Sequence, residues 1–268
     1  MGILKYGMMT NPSKDIIKEI LKVRRLGFDY VELAVEIPEA HHDILRKRRK
    51  EILRELSRFR HGPVSHTTWQ FDLTSDYEEV RQAWLSVAKS SIDVSAMLGC
   101  RLMNIHAPIL QMFYAQYRRY MKKALDNYVK SMRELVRYAS GKGVVIVLEN
   151  LPTPDTVTLK EYTDIMNRVP GLKAHIDIGH CFMEGGMGMI SRYLRTFQDR
   201  LEHVHVSDNM GDEDEHLGIF QGAIDYIRVM RLLKKVGYDK GVTLEVHSTS
   251  KDLKDSLRIL RAIEEEVW

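Results

Sequence analysis

"AHIDIGHCFMEGG", residues 174–186, begins as a buried strand would and breaks towards glycine just after presenting Asp177 and His180. A carboxylate and an imidazole placed side by side at the end of an apolar run mark a strand whose mouth needs both. Seven other short apolar runs have a comparable form: "LKYGMM" (4–9), "YVELAV" (30–35), "GPVSHT" (62–67), "RLMNIHA" (101–107), "VVIVLEN" (144–150), "LEHVHVS" (201–207) and "VTLEVH" (242–247). With "KAHIDI" (173–178) they make eight.

Between these runs lie longer amphipathic segments, the pattern of parallel strands joined by crossover helices. Ser13 is predicted to cap a helix over 14–27, with Ile16, Ile17, Ile20 and Leu21 on one face and Gly27 as its left-handed stop. Further helices are predicted from about Asp76 to Leu98, ending at Gly99, from about Phe113 to Ser140, ending at Gly141, and from about Ile224 to Val236, ending at Gly237. Eight strands each followed by a helix within about 250 residues give the size and order of a (β/α)8 barrel. The expected fold is therefore α/β, one such barrel spanning residues 1–268. A doubly wound open sheet would carry a glycine-rich phosphate loop after its first strand, and "MMTNPSKD" (8–15) has none.

Composition agrees with a soluble globular protein: 44% hydrophobic and 29% charged residues do not suggest a disordered chain. A formal charge of +3 does not by itself imply a nucleic-acid or membrane partner. The densest basic run, "RKRRK" (46–50), sits among Ile44, Leu45, Ile52, Leu53 and Leu56 at helical spacing and reads as a solvated helix face. Cys100 and Cys181 lack any C-x-x-C spacing, which fits a reducing compartment. "MGILKYGMMT" (1–10) has no apolar signal core, and no stretch reaches the roughly 20 apolar residues of a membrane span, so a cytoplasmic location is expected. The 14 methionines are read first as core residues, with a homo-oligomer interface left open.

In a barrel of this kind chemistry gathers at the C-terminal ends of the strands. His66, His106, Glu149, Asp177, His205 and Glu245 fall at such ends, with His180 following the sixth strand and Asp214 and His216 following the seventh. A single strand-end histidine has an ordinary structural explanation. A ring of carboxylates and imidazoles repels and desolvates itself unless a cation or bound protons compensate, and a divalent metal is the economical answer. Mixed Asp, Glu and His donors without thiolates suit manganese, zinc, iron or cobalt rather than a closed structural zinc site.

"VLEN" (147–150), "HIDIGH" (175–180), "HVHVSD" (203–208) and "LEVH" (244–247), with "SHTTWQFDLTSDYEEVRQAW" (65–84) and "NIHAP" (104–108), resemble the motifs of the xylose-isomerase-like barrel superfamily. That superfamily includes sugar and sugar-phosphate isomerases and epimerases and the endonuclease IV type of abasic-site nuclease. On the isomerase and epimerase side the resemblance implies one divalent ion (Mn, Zn, Co or Mg) held by Glu149, Asp177, His205 and Glu245. Glu149 and Glu245 would then move a proton next to a carbonyl of a small sugar, with His180 polarising a substrate oxygen. His66, Trp69 and Asp208 are the further substrate-binding candidates.

On the nuclease side it implies up to three zinc ions, with His66, His106, His180, Asp214 and His216 as additional ligands and nucleic acid as the partner. The nuclease pattern has an arginine between the aspartate and histidine of the seventh-strand loop. Here that residue is Glu215, in the acidic run 212–215, which would oppose a DNA backbone. The same substitution points to an unphosphorylated sugar. A second departure is "HLGIFQGAIDY" (216–226), where Phe220 and Gln221 replace the first glycine and the glutamate of a common "G-E-G". Glu32 and Glu36, near the second strand's end, read equally as substrate contacts and as surface residues, and Cys181 as a buried structural thiol.

Overall fold

A computed structural model of the chain describes residues 2–110, 117–152 and 156–268. Eight strands run parallel in sequence order: β1 (Lys5–Met9), β2 (Tyr30–Val35), β3 (Val64–Thr67), β4 (Leu102–His106), β5 (Val145–Glu149), β6 (Lys173–Asp177), β7 (Leu201–Val206) and β8 (Gly241–Leu244). The sheet closes where β1 meets β8, with Lys5 opposite Gly241 and Met8 opposite Leu244. The fold is the expected (β/α)8 barrel.

Around it lie α1 (Ile16–Leu26), α2 (His42–Lys47), α3 (Arg49–Leu56), α4 (Glu78–Met97), α5 (Arg118–Ser140), α6 (Leu159–Arg168), α7 (Ile178–Phe197), α8 (Tyr226–Lys235) and α9 (Ser250–Val267). Asp15, not Ser13, caps α1, because its carboxylate accepts from the amides of both Ile17 and Lys18, while Ser13 is drawn into a turn by Asn11. Gly27 ends α1 at φ 87° and Gly99 follows α4 at φ 81°, as their positions predict. After α5 the left-handed residue is Gly143 (φ 74°) rather than Gly141, which stays helical. The predicted start of that helix near Phe113 lies outside the described residues. The basic run 46–50 is split between α2 and α3, with Arg48 bound to Asp15 and Glu51 while Leu45 and Ile52 turn inwards. Among the described residues no helix is long and apolar enough to cross a membrane.

Barrel interiors are ordinarily filled with layers of Val, Ile and Leu. This one is polar over much of its depth: Tyr30, Glu32, Asn104, Glu149, His175, Asp177, His203, His205 and Thr243 are all buried. Strand periodicity explains the set. Residues two apart point to the same side, so His175 and Asp177 on β6 share the inward face, as do His203 and His205 on β7. Register pairs Glu149 with His175, Asp177 with His205 and His205 with Thr243.

Candidate active site

His106, Glu149 and Asp177 are the last residues of β4, β5 and β6, His66 and His205 stand one residue inside the ends of β3 and β7, and Glu245 follows β8 directly. His180 is not in a loop: it occupies the first turn of α7, because Asp177 caps that helix, its Oδ1 accepting the His180 amide at 2.7 Å. The glycine break lies further on, inside α7, at Gly185 and Gly186.

The carboxylate of Glu149 is the hub. Its Oε2 accepts from Asn104 Nδ2 and lies 3.5 Å from His66 Nε2, 3.4 Å from His106 Nε2 and 3.6 Å from His175 Nδ1. Its Oε1 is 3.7 Å from Nδ1 of both His180 and His205. Burial pushes its pKa up, but the imidazoles, those of His175, His106 and His205 foremost, outweigh burial and hold Glu149 well below the carboxylate range. Glu149 is therefore an ionised base in a dry setting.

Nδ1 of His205 marks a point where three carboxylates converge: 3.0 Å from Glu245 Oε2, 3.7 Å from Glu149 Oε1 and 4.0 Å from Asp177 Oδ2. The other ring nitrogen, Nε2, rests on Glu32 at 3.0 and 3.1 Å. Asp177 Oδ2 is buried and has no hydrogen-bond partner among the described residues. Burial raises the Asp177 pKa, whereas Glu245, paired with His205 against its own burial, is held at about 2. One imidazole nitrogen and three carboxylates, with an orphaned oxygen among them, fit a divalent cation. The predicted ligands Glu149, Asp177, His205 and Glu245 are thus brought together.

The additional candidates form two flanking groups. His66 and His106 pack edge to face, their ring centroids 4.8 Å apart, and neither nitrogen of His66 has a hydrogen-bond partner among the described residues. Burial drives the His106 pKa down to about 4. On the other side, Asp214 Oδ2 lies 3.2 Å from His180 Nε2 and 3.1 Å from His216 Nε2. The remaining nitrogens face carbonyls, His180 Nδ1 that of Asn150 at 2.8 Å and His216 Nδ1 that of Glu245 at 2.9 Å. Both rings therefore face acceptors on each side. Against burial, Asp177 and Asp214 hold the His180 pKa well above the usual range, and Asp214 with Glu245 brings that of His216 to about 9.

A cavity of about 830 Å³ opens onto this ring, and His66, His106, Glu149, His180, His216 and Glu245 contribute to its wall. Trp69, 60% exposed, lines it too. Lys14 and Lys22 line it as well. Asp208 does not line it: its carboxylate accepts the amides of Asn209, Phe220 and Ile224, folding the loop after β7 back on itself. That loop takes Phe220 through φ 68°, the left-handed conformation for which a glycine is the usual choice. Glu36 is on the cavity wall, but Glu32 is fully buried beneath the ring, not at the surface.

Sequence reading missed His175, His203 and Asn104, the inward-facing partners beneath the strand-end residues. The available signal was the polar residue two positions before a strand-end candidate, in "AHID" (174–177), "HVH" (203–205) and "NIH" (104–106).

Comparison with known proteins bears on this geometry. The family described as xylose isomerase-like TIM barrel matches residues 20–263. An uncharacterised protein of Methanocaldococcus jannaschii is 26% identical over 253 residues, covering 91% of this chain and 82% of its own. A ketose 3-epimerase of Arthrobacter globiformis is 26% identical over 256 residues, covering 90% and 81%. Among solved structures, a D-tagatose 3-epimerase-like protein superposes with a TM-score of 0.87 at 26% identity, over 98% of each chain.

Proposed function

The chain belongs to the xylose isomerase-like TIM barrel family, and we propose that within it the chain is a divalent-metal-dependent epimerase of ketose sugars. One observation carries the proposal: Glu149 and Glu245, from strands well separated around the barrel, both line one cavity and bring carboxylate oxygens to within 3.7 and 3.0 Å of the same buried nitrogen, His205 Nδ1. The similarity to a ketose 3-epimerase and to a D-tagatose 3-epimerase-like protein supports it.

Epimerisation next to a carbonyl removes a proton from one face of a carbon and returns one to the other. A single base does this poorly; two carboxylates flanking the carbon do it directly. Glu149, ionised and buried, takes the proton in one direction, and Glu245, once it has taken up a proton from solvent through the cavity, delivers it from the opposite face; exchange with solvent then returns both carboxyls to their starting states, and in reverse their roles exchange. Glu149, Asp177, His205 and Glu245 would hold a divalent ion, whose positive charge would acidify the C–H next to the substrate carbonyl. His180 reaches a substrate oxygen by turning its Nε2–H from Asp214, the longer of its two contacts at 3.2 Å, while Nδ1 stays on the Asn150 carbonyl at 2.8 Å. His66 and Trp69 close the cavity over the sugar and keep water from the carbanion.

The acidic run 212–215 favours an unphosphorylated sugar, while Lys14 and Lys22 on the cavity wall make phosphorylated ketoses a necessary part of the screen. The test is incubation of the metal-loaded protein with ketohexoses, ketopentoses and their phosphates in deuterium oxide. Epimer formation with deuterium entering only at the carbon beside the carbonyl is expected. Tight sugar binding with no exchange would remove the catalytic reading.

The convergence of His66 and His106 on Glu149, and of His180 and His216 on Asp214, favours one second reading, a multinuclear zinc site acting on an abasic duplex. Cleavage of such a duplex, lost on chelation, would select it.

A further inference from the structure

We propose that Glu32, buried one layer below the metal-ligand ring, is a positioning residue that fixes the tautomer of His205 and with it the donor atom offered to the ion. The inference rests on the metal-site reading above.

Glu32 lies on β2 and is completely buried. Its Oε1 is 3.0 Å from His205 Nε2, its Oε2 is 2.8 Å from His203 Nε2, and Oε2 also accepts the Thr243 hydroxyl at 2.5 Å. The Thr243 hydroxyl in turn is 2.8 Å from that of Tyr30. Having given its proton to Glu32, Thr243 accepts from Tyr30, so the chain of donors has one direction. Room for it comes from glycine: a Cβ on Gly7 would stand 2.2 Å from the Tyr30 ring, so only a residue without one lets the ring lie across β1.

An ionised carboxylate only accepts hydrogen bonds. Every atom against Glu32 must therefore bring a proton, and Nε2 of both His203 and His205 must carry one. For His205 the consequence is decisive. With the proton on Nε2 held by Glu32, Nδ1 is the nitrogen that can give up its proton, shared with Glu245 at 3.0 Å, and turn its lone pair to an ion among Glu149, Asp177 and Glu245. The opposite tautomer would point an N–H at the same place and leave Nε2 facing Glu32 lone pair to lone pair. Partners of this kind behind a ligating histidine typically govern metal affinity by about 10–100-fold when removed.

Three full-length proteins decide the matter: wild type, Glu32→Gln and Thr243→Val, each stripped with chelator, shown to be folded by circular dichroism, and titrated calorimetrically with Mn²⁺ and Zn²⁺. The amide of Glu32→Gln keeps the shape but offers one acceptor and one donor, so it cannot receive both imidazole N–H groups. Its affinity should fall about 10–100-fold. Thr243→Val leaves both imidazoles on the carboxylate, and its affinity should stay within about threefold of wild type, well short of that loss. Equal losses in the two variants, or wild-type affinity in Glu32→Gln, would overturn the proposal. A wild type that binds no divalent ion would instead sink the metal-site reading and this inference with it. Should Glu32→Gln not fold, ¹⁵N spectra of histidine-labelled, zinc-loaded wild type give the answer directly: His205 is expected with a protonated Nε2 and a metal-bound Nδ1, and the reverse pattern refutes the role of Glu32.

Discussion

Asp177 divides its carboxylate between two tasks: Oδ1 accepts the backbone amide of His180 at 2.7 Å and starts α7, while Oδ2 stays buried beside the other metal-ligand atoms without a partner among the described residues. Asp177→Asn separates the tasks, because an amide oxygen can still cap the helix but an amide nitrogen cannot bind a cation. The metal-free variant should melt within a few degrees of metal-free wild type. Divalent ion at about 100 times the wild-type Kd, which adds about 2.7 kcal/mol to a protein that binds it, should leave the variant's Tm unchanged. A full ion-induced shift in Asp177→Asn would show that the orphaned oxygen is not a ligand.

Removing one of the two carboxylates should split exchange from inversion. In Glu245→Gln the fold stays intact and Glu149 keeps its ionised state, so one epimer of a substrate ketose should still exchange its proton with solvent. Conversion to the other epimer, which needs a proton from the opposite face, should fall by at least about 100-fold. Mass spectrometry of both epimers after incubation in deuterium oxide measures the two rates together. Undiminished epimerisation in Glu245→Gln would remove the residue from proton transfer.

His216 makes the metal-free protein sensitive to pH in a defined direction. Its folded-state pKa is raised to about 9 by Asp214 and Glu245, against the opposing effect of burial, above an unfolded value of about 6.5. A raised pKa stabilises the fold fully below the unfolded value, and that contribution disappears as pH climbs through the folded value. The Tm of chelator-treated protein should therefore fall between pH 6.5 and 9. His216→Asn should flatten this part of the profile; asparagine is chosen because His216 sits at φ 48°, which asparagine tolerates. A slope unchanged in the variant would assign the titration elsewhere.

Phe220 tests the departure that the sequence displays most openly. The residue takes φ 68° and is 51% exposed, so it bears left-handed strain with little burial in return. Phe220→Gly should raise stability by about 1 kcal/mol, seen as a Tm gain of about 2–4 °C. A lower Tm would mean that the Phe220 ring makes contacts worth more than the strain. Gln221 is already accounted for by its side chain, which accepts the Gly218 amide at 3.0 Å and donates to Asp252 at 2.8 Å.

These predictions differ in how visible their residues are from sequence alone. His66, His106, Glu149, Asp177, His205 and Glu245 were legible because each interrupts or ends an apolar run, and the end of a parallel strand is where a barrel exposes its interior. Asp208 follows β7 in the same manner and was misread, because the loop returns to pair Leu217 with it and turns its carboxylate onto backbone amides. A loop's path depends on contacts remote in sequence, and no local pattern records it. Glu32 was illegible for a different reason. Its position in "YVELAV" (30–35) fits an inward or an outward face equally well until the register with β1 and β3 is known.

The number of ions per chain separates the epimerase from the nuclease before any substrate is found. His180 and His216 each face an acceptor on both nitrogens, so protons alone satisfy the cluster around Asp214. The ring around His205 Nδ1 has no such completion, since Asp177 Oδ2 keeps an unpartnered lone pair beside two further carboxylates. One ion should therefore bind tightly and a second weakly, and elemental analysis of protein purified without chelator should give about one manganese, cobalt or zinc per chain. Replacing His216 with Asn should leave that count unchanged, whereas His205→Asn should abolish it. Two or three zinc ions per chain, reduced by His216→Asn, would place metal on Asp214 and make the abasic-site reaction the first to assay.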